Sequence, residues 1–236
     1  MIQILYTNIS KCFITKAWEY YLEDLPPDIK ESVLKYQKQN DRLRVLCGKL
    51  LLQKLLLEIN QEALFNTIQL DQYKRPFVSN EIDFNISHSG DYVICGLSAI
   101  LSKTCPQLVS GRERIEKHSI ETLITNKIGI DIEKKRNVNY EEFERVFTET
   151  EMQKIKSSQN PIDTFFQFWT MKEAIMKADG RGFHLPPNTF TVQNNSAIIN
   201  EKNWYLKRLT IDENYDCHLA TENAKIEIEI NDIIFY

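Results

Sequence analysis

The sequence predicts an α+β chain built as two similar lobes. Three observations carry this. Each half holds a dense helical block, Asp41 to Ile59 in the first and Pro161 to Ala178 in the second. Each half also holds short strands, Phe84 to Ser87 and Tyr92 to Leu97 before the middle, Ile128 to Glu133 after it. Between them, from Ala99 to Lys127, the pattern weakens around Pro106 and Gly111. The expected division is therefore an N-terminal lobe over residues 1–98, an insertion or linker over 99–127, and a C-terminal lobe over 128–236.

Taken in order, Ile2 to Asn8 reads as a first strand. It is too short for a membrane span and lacks the basic flank of a signal peptide. A polar helix is expected from Thr15 to Leu25, and Pro26-Pro27 then open a second near Asp28, where proline fits the first turn. Asp41 to Ile59 is the strongest helix of this half, and Gly48 inside it points to close packing. Phe65 to Leu70 alternates and reads as a strand. Ser89-Gly90-Asp91 makes the turn between the next two strands. A short helix is expected around Glu113 to Leu123. Beyond Ile128 to Glu133, helices follow at Tyr140 to Phe147, Glu149 to Lys156 and Pro161 to Ala178. Strands follow at Thr189 to Val192, Trp204 to Leu209 and Lys225 to Ile230.

The chain has 236 residues, 42% of them hydrophobic, enough for one large core or two small ones. A net charge of −4 argues against a general nucleic-acid binder. The five cysteines form no CxxC pair and read as reduced thiols of a cytoplasmic protein. No membrane partner is expected.

Four segments carry candidate chemistry. In Ile128-Gly129-Ile130-Asp131-Ile132-Glu133, strand alternation sends the isoleucines to a core and Gly129, Asp131 and Glu133 to the other face. Two carboxylates there, with glycine leaving space, suit a hard cation such as Mg²⁺; by itself the hexamer also fits an ordinary acidic strand face. Around Phe165 to Lys177, Trp169, Glu173 and Lys177 lie four residues apart on one helix face. Such a Glu–Lys pair is most often a surface pair, yet the aromatic surroundings fit a cleft. In Ser87-His88-Ser89, the histidine can meet an anionic oxygen or simply close a turn. Lys74-Arg75-Pro76 can clamp a phosphate or sit in solvent. With no Walker loop and no GxGxxG, phosphate binding would rest on side-chain cations.

Lys74-Arg75-Pro76, Phe84-Asn85-Ile86-Ser87-His88-Ser89, Gly129-Ile130-Asp131-Ile132-Glu133 and Phe168-Trp169-Thr170-Met171-Lys172-Glu173-Ala174 with Lys177 occur in that order. The match continues through Gly180 to Phe183, Leu185-Pro186 and Phe190. Together they resemble the surfactin-synthetase-activating type of 4′-phosphopantetheinyl transferase, from about Pro26 to Phe190. The resemblance implies an α+β pseudo-dimer of two lobes in one chain, expected as a monomer, with coenzyme A between them. It implies transfer of phosphopantetheine from coenzyme A to a serine of an apo acyl or peptidyl carrier protein. By position, Asp131, Glu133 and Glu173 would bind Mg²⁺, and Glu173 or a water it orients would act as base. Ser87 and His88 would hold the 3′-phosphate region, and Arg44 and Arg75 the nucleotide or phosphate. Lys172 and Lys177 would face the pyrophosphate, with Lys177 also stabilising charge during transfer.

The chain departs from the pattern near Pro26, where two family lysines align with Ile29 and Ser32, and over residues 99–127, where relatives often have only a tight hairpin. Lys134-Lys135-Arg136, directly after Glu133, is expected to help receive an acidic carrier. Two other readings use the same residues: a metal-dependent pyrophosphate hydrolase, and a catalytically silent carrier-binding module.

Overall fold

The first strand, β1 (Ile2–Asn8), buries Ile2, Ile4 and Leu5. The structure is a computed structural model that describes residues 1–99 and 126–236. Helices α1 (Trp18–Glu23), α2 (Pro27–Leu34) and α3 (Gln39–Glu58) follow, with Pro27 in the first turn of α2 as its fixed φ favours. A short hairpin, β2 (Gln69–Leu70) and β3 (Pro76–Phe77), precedes the long hairpin β4 (Ile82–Ser89) and β5 (Tyr92–Ala99). The segment read as a strand over Phe65 to Leu70 is instead a 3₁₀ helix, Glu62–Thr67, with only the two-residue β2 behind it. Phe65 is the anchor, buried against the α3 core, so burial of one ring outweighed a short alternation.

The second lobe opens with β6 (Ile128–Lys134), then α4 (Glu149–Ser157) and α5 (Pro161–Asp179). Strands β7 (Ser196–Ile199), β8 (Lys202–Arg208) and β9 (Tyr215–Thr221) complete its sheet in the order β6-β9-β8-β7. The strand expected at Thr189 to Val192 is absent; Pro187–Thr189 is a 3₁₀ turn, as its proline favours. Tyr140–Val146 is likewise a 3₁₀ helix. The short helix expected at Glu113 to Leu123 lies outside the described residues.

The last strand, β10 (Ile228–Asp232), corrects the expected lobe boundary. It pairs in parallel with β1, so the N-terminal sheet runs β10-β1-β5-β4 and contains the end of the chain. Ile233 N–H donates to the Tyr6 carbonyl at 2.8 Å, and Phe13 N–H to the Phe235 carbonyl at 2.6 Å. The Phe235 ring stacks on Phe13, 6.2 Å between centroids. Truncation before Ile228 is expected to destabilise the N-terminal lobe by on the order of 3 kcal/mol, from the lost Ile233 and Phe235 burial and strand pairing. It also bares the β1 edge for intermolecular pairing. Thermal melts and light scattering of the truncated chain check both effects; a full-length melting point in a monodisperse sample would refute them.

Between the lobes the two sheets pack face to face. Ile2, Ile4 and Ile94 of one meet Ile128, Ile130, Ile132 and Leu219 of the other. The outer face of the first sheet is covered by α3, that of the second by α5. No helix among the described residues is long and apolar enough to cross a membrane. Cys12, Cys47, Cys95 and Cys217 are free and buried; Cys105 lies outside the described residues.

Candidate active site

Among the described residues the edge of β6 that faces β4 has no backbone partner, and side chains of β4 take that role. Alternate residues of β4 point at it, as strand geometry requires. Asp83 Oδ2 accepts from Ile128 N–H at 2.7 Å and Asn85 Oδ1 from Ile130 N–H at 2.8 Å. Ser87 Oγ accepts from Ile132 N–H at 3.3 Å and Ser89 Oγ from Lys134 N–H at 3.0 Å. This ladder satisfies an otherwise open edge and sets the register of the two lobes.

The ladder also aims the carboxylates of β6. Ser87 donates to Asp131 at 3.1 Å, and Ser89 donates to Glu133 at 2.8 Å. From α5, Trp169, Glu173 and Lys177 face the same space, as their four-residue spacing predicts. The result is a cleft of about 320 Å³ lined by Ile86, Ser87, His88, Asp131, Glu133, Trp169, Glu173 and Lys177. Lys177 donates to Asp131 at 2.6 Å and to Ser87 at 3.0 Å.

Charge in the cleft is unbalanced toward the negative. Burial raises the pKa of Asp131, and Lys177, Ser87 and the Ile132 amide offset this only in part. Burial also raises Glu173, and repulsion from Asp131 and Glu133 adds to it against the pull of Lys177. Glu133 is raised chiefly by burial, with Ser89 opposing and Asp131 adding. Asp131 Oδ2 is buried and has no hydrogen-bond partner among the described residues, a costly arrangement in a native fold. Among the described residues no three His, Cys, Asp or Glu side chains already stand at metal-binding spacing. The chemistry of the donor set nevertheless fits a hard cation: three carboxylates on one cleft, one with an orphaned oxygen.

His88 is exposed at the cleft rim. Desolvation first, then the positive charges of Arg44 and Lys177, push its pKa below the ordinary histidine value. Arg44 holds the β4–β5 turn, donating to the Gly90 carbonyl at 2.7 Å and to Asp41 at 2.6 Å.

Two expected contacts are corrected. Lys172 does not face the cleft. Its ammonium is buried against Glu151 at 2.8 Å, and donates to the carbonyls of Pro187 at 2.7 Å and Phe190 at 2.8 Å. All three of its protons are used inside the lobe, so none is left for a pyrophosphate. Arg75 is also turned inward. It forms a double hydrogen bond to Asp83, at 2.6 and 2.8 Å, and lies outside the cleft lining. Of the basic run after Glu133, Lys134 pairs with Asp91, Lys135 with Asp163 and Arg136 with Glu133. Near Pro26, Ile29 is buried in the α3 core, and the Ser32 hydroxyl donates to the Ile29 carbonyl at 2.6 Å. Sequence reading missed the ladder residues Asp83 and Asn85 and gave Ser89 no role; their alternation with buried Phe84 and Ile86 was the available signal.

The family described as the 4′-phosphopantetheinyl transferase superfamily matches residues 127–228, and the family described as 4′-phosphopantetheinyl transferase, N-terminal, matches residues 14–99. Residues 100–126 fall between the two. The chain is 26% identical to the 4′-phosphopantetheinyl transferase gsp of Aneurinibacillus migulanus, over 84% of this chain and 73% of that one. It is 27% identical to the 4′-phosphopantetheinyl transferase Sfp of Bacillus subtilis, over 74% and 69%. It is 30% identical to a Haemophilus influenzae protein provisionally named for the same activity, over 76% and 68%.

Proposed function

The chain belongs to the 4′-phosphopantetheinyl transferase superfamily, and we propose that it moves the phosphopantetheine arm of coenzyme A onto a serine of an apo acyl or peptidyl carrier protein. The observation that carries this reading is the cleft between the lobes, where Asp131, Glu133 and Glu173 converge with Lys177 around a buried, unpartnered carboxylate oxygen. Both walls come from one chain, which supports a monomeric enzyme.

In the reaction the carrier serine oxygen attacks the phosphorus that bears pantetheine. The bond from that phosphorus to adenosine 3′,5′-bisphosphate breaks, and the bisphosphate leaves. The reacting centre is already anionic, so catalysis rests on positioning and charge neutralisation. Mg²⁺ held by Asp131, Glu133 and Glu173 would supply neutralisation at the pyrophosphate. Glu173, with its raised pKa, is suited to take the serine proton directly or through a water. Lys177 stands beside Asp131 in the same cleft, where its ammonium can stabilise charge gathering on the leaving phosphate.

The reading is tested by incubating the protein with coenzyme A, Mg²⁺ and a panel of apo carriers and weighing each carrier. Mass gain by one phosphopantetheine supports it. Cleavage of coenzyme A with no carrier gain would favour a hydrolase, and no consumption at all a binding module.

A second expected result concerns His88. Its lowered pKa leaves the imidazole neutral in the free protein at pH 7, and a 3′-phosphate beside it would pull that pKa up. Coenzyme A should therefore bind more tightly as pH falls through the histidine range, by proton uptake on binding. His88→Ala should lose the pH dependence and weaken binding by about tenfold, as for one charge-assisted phosphate contact. Dephospho-coenzyme A should show neither effect. Calorimetry at several pH values checks this; an equal loss for both ligands would place His88 elsewhere.

A further inference from the structure

The β2–β3 hairpin exists to present one side chain. Asp71 Oδ1 accepts from the Tyr73 and Arg75 amides at 2.8 and 2.9 Å, and Lys74 takes a positive φ of 64°. The chain thus turns sharply and sends Arg75 between the lobes. There its guanidinium reaches four groups from three elements. It grips Asp83 of β4, itself buried, through both terminal nitrogens. It donates to the Ile128 carbonyl at the start of β6 at 3.0 Å, and to the Lys177 carbonyl at 3.0 Å. It also lies 3.5 Å from the Phe84 carbonyl.

The Lys177 carbonyl is one of the last four of α5, which no helical N–H can satisfy. Gly180 ends the helix at φ 90°, its amide bonding the Met176 carbonyl at 3.1 Å. A side chain at Gly180 would meet Arg75 Cδ, so the glycine also makes room for the arginine. A fixed cation at a helix C-terminus is favourable there, and Arg, with its planar fork, is matched to this bidentate and carbonyl-rich socket in a way Lys is not.

We infer that Arg75, seated on Asp83, is a positioning residue for transfer: it fixes the last turn of α5 against the N-terminal lobe and so sets where Lys177 and Glu173 stand, without touching coenzyme A. The inference rests on the transfer reading. It assigns to the hairpin a task in catalytic geometry rather than in substrate binding. All three guanidinium nitrogens are engaged in these bonds, and Arg75 is not among the residues that line the cleft.

The test compares wild type with Arg75→Lys, which keeps the charge on Asp83 but cannot span to both carbonyls. A second variant, Arg75→Met with Asp83→Asn, removes the charge pair together, so no buried carboxylate is stranded. Carrier modification and coenzyme A binding are measured separately, below the melting point of each protein. Both variants should lower kcat by about ten- to a hundredfold, the range expected when a catalytic group is displaced by up to an ångström. Coenzyme A affinity, and its ratio to dephospho-coenzyme A, should stay within about twofold of wild type. Weaker coenzyme A binding with a collapsed ratio would mean that Arg75 meets the 3′-phosphate and would overturn the inference. Wild-type kcat in either folded variant, with only a lower melting point, would reduce Arg75 to a structural role. A wild type that modifies no carrier removes the transfer reading itself, whereas a loss confined to the variants bears on Arg75 alone.

Discussion

Asp131→Ala, Glu133→Ala and Glu173→Ala are each expected to lower carrier modification by on the order of a hundredfold or more while leaving the fold intact, because metal stabilisation of phosphoryl charge supplies several kcal/mol. The three side chains come from two elements, β6 and α5, and meet only in the cleft. The same substitutions have a second, opposite signature. All three carboxyls have pKa values raised in the folded protein, so the folded state holds their protons more tightly than the unfolded chain. The stability this gives is present below the ordinary carboxylate range and is lost as pH rises through the raised values. At neutral pH without a divalent ion the cluster therefore works against folding. Glu173→Gln removes one repelling charge and, among the described residues, breaks no hydrogen bond or ion pair, so its melting point without Mg²⁺ should equal or exceed wild type. Adding Mg²⁺ should raise the wild-type melting point, by the linkage of binding to folding, and raise that of Glu173→Gln much less. Equal Mg²⁺ shifts in both proteins would remove Glu173 from the metal set, whatever its effect on rate.

How far the sequence reveals this site depends on how local each relation is. The placement of Asp131 and Glu133 follows from strand alternation alone, and that of Trp169, Glu173 and Lys177 from helical spacing; the structure brings all five to one cleft. Lys172 shows the same rule ignored. One residue is about 100° of helix rotation, so Lys172 points well away from Glu173, into the Glu151 pocket. Periodicity already held that answer, and the family pattern hid it. Arg75 is different in kind. Its partners, Asp83 and the carbonyls of Ile128 and Lys177, lie on strands and a helix that only tertiary structure brings near. The strand β9 escaped notice because Asp216 and His218 interrupt its apolar run. Both are buried, His218 against the Thr170 hydroxyl at 2.8 Å and Asp216 against Arg208, so polar partners inside the lobe made a core strand look like a loop. The parallel pairing of β10 with β1 joins residues at opposite ends of the chain, a contact no local window contains.

The most tightly packed glycine among the described residues makes the last expected result. Gly129 lies on β6 under α5, and a Cβ built there would stand 2.1 Å from the Ala174 carbonyl oxygen and 2.3 Å from the Ala178 nitrogen. Both obstacles are helix backbone, which cannot swing aside as a side chain can. Ala174 and Ala178 are fully buried, so three small residues let strand and helix touch. That contact has a functional consequence. Asp131 and Glu133 follow Gly129 on the strand, and Glu173 and Lys177 flank the two alanines on the helix. The separation of the two sets is therefore fixed by the absence of a methyl group. Gly129→Ala must push α5 outward, at a cost of about 1–3 kcal/mol for an overpacked core and more if the helix resists. It should also cut transfer by on the order of a hundredfold, since a shift near 1 Å at the catalytic groups is enough. Gly48→Ala is the control. Its Cβ would meet the Cγ2 methyl of Ile86 at 3.0 Å, a side-chain contact inside the N-terminal lobe rather than helix backbone, and it should retain most activity. Thermal melts and carrier modification of both variants below their melting points separate the cases. If Gly129→Ala melts lower yet transfers at the wild-type rate, the spacing of β6 and α5 does not set the geometry of the site.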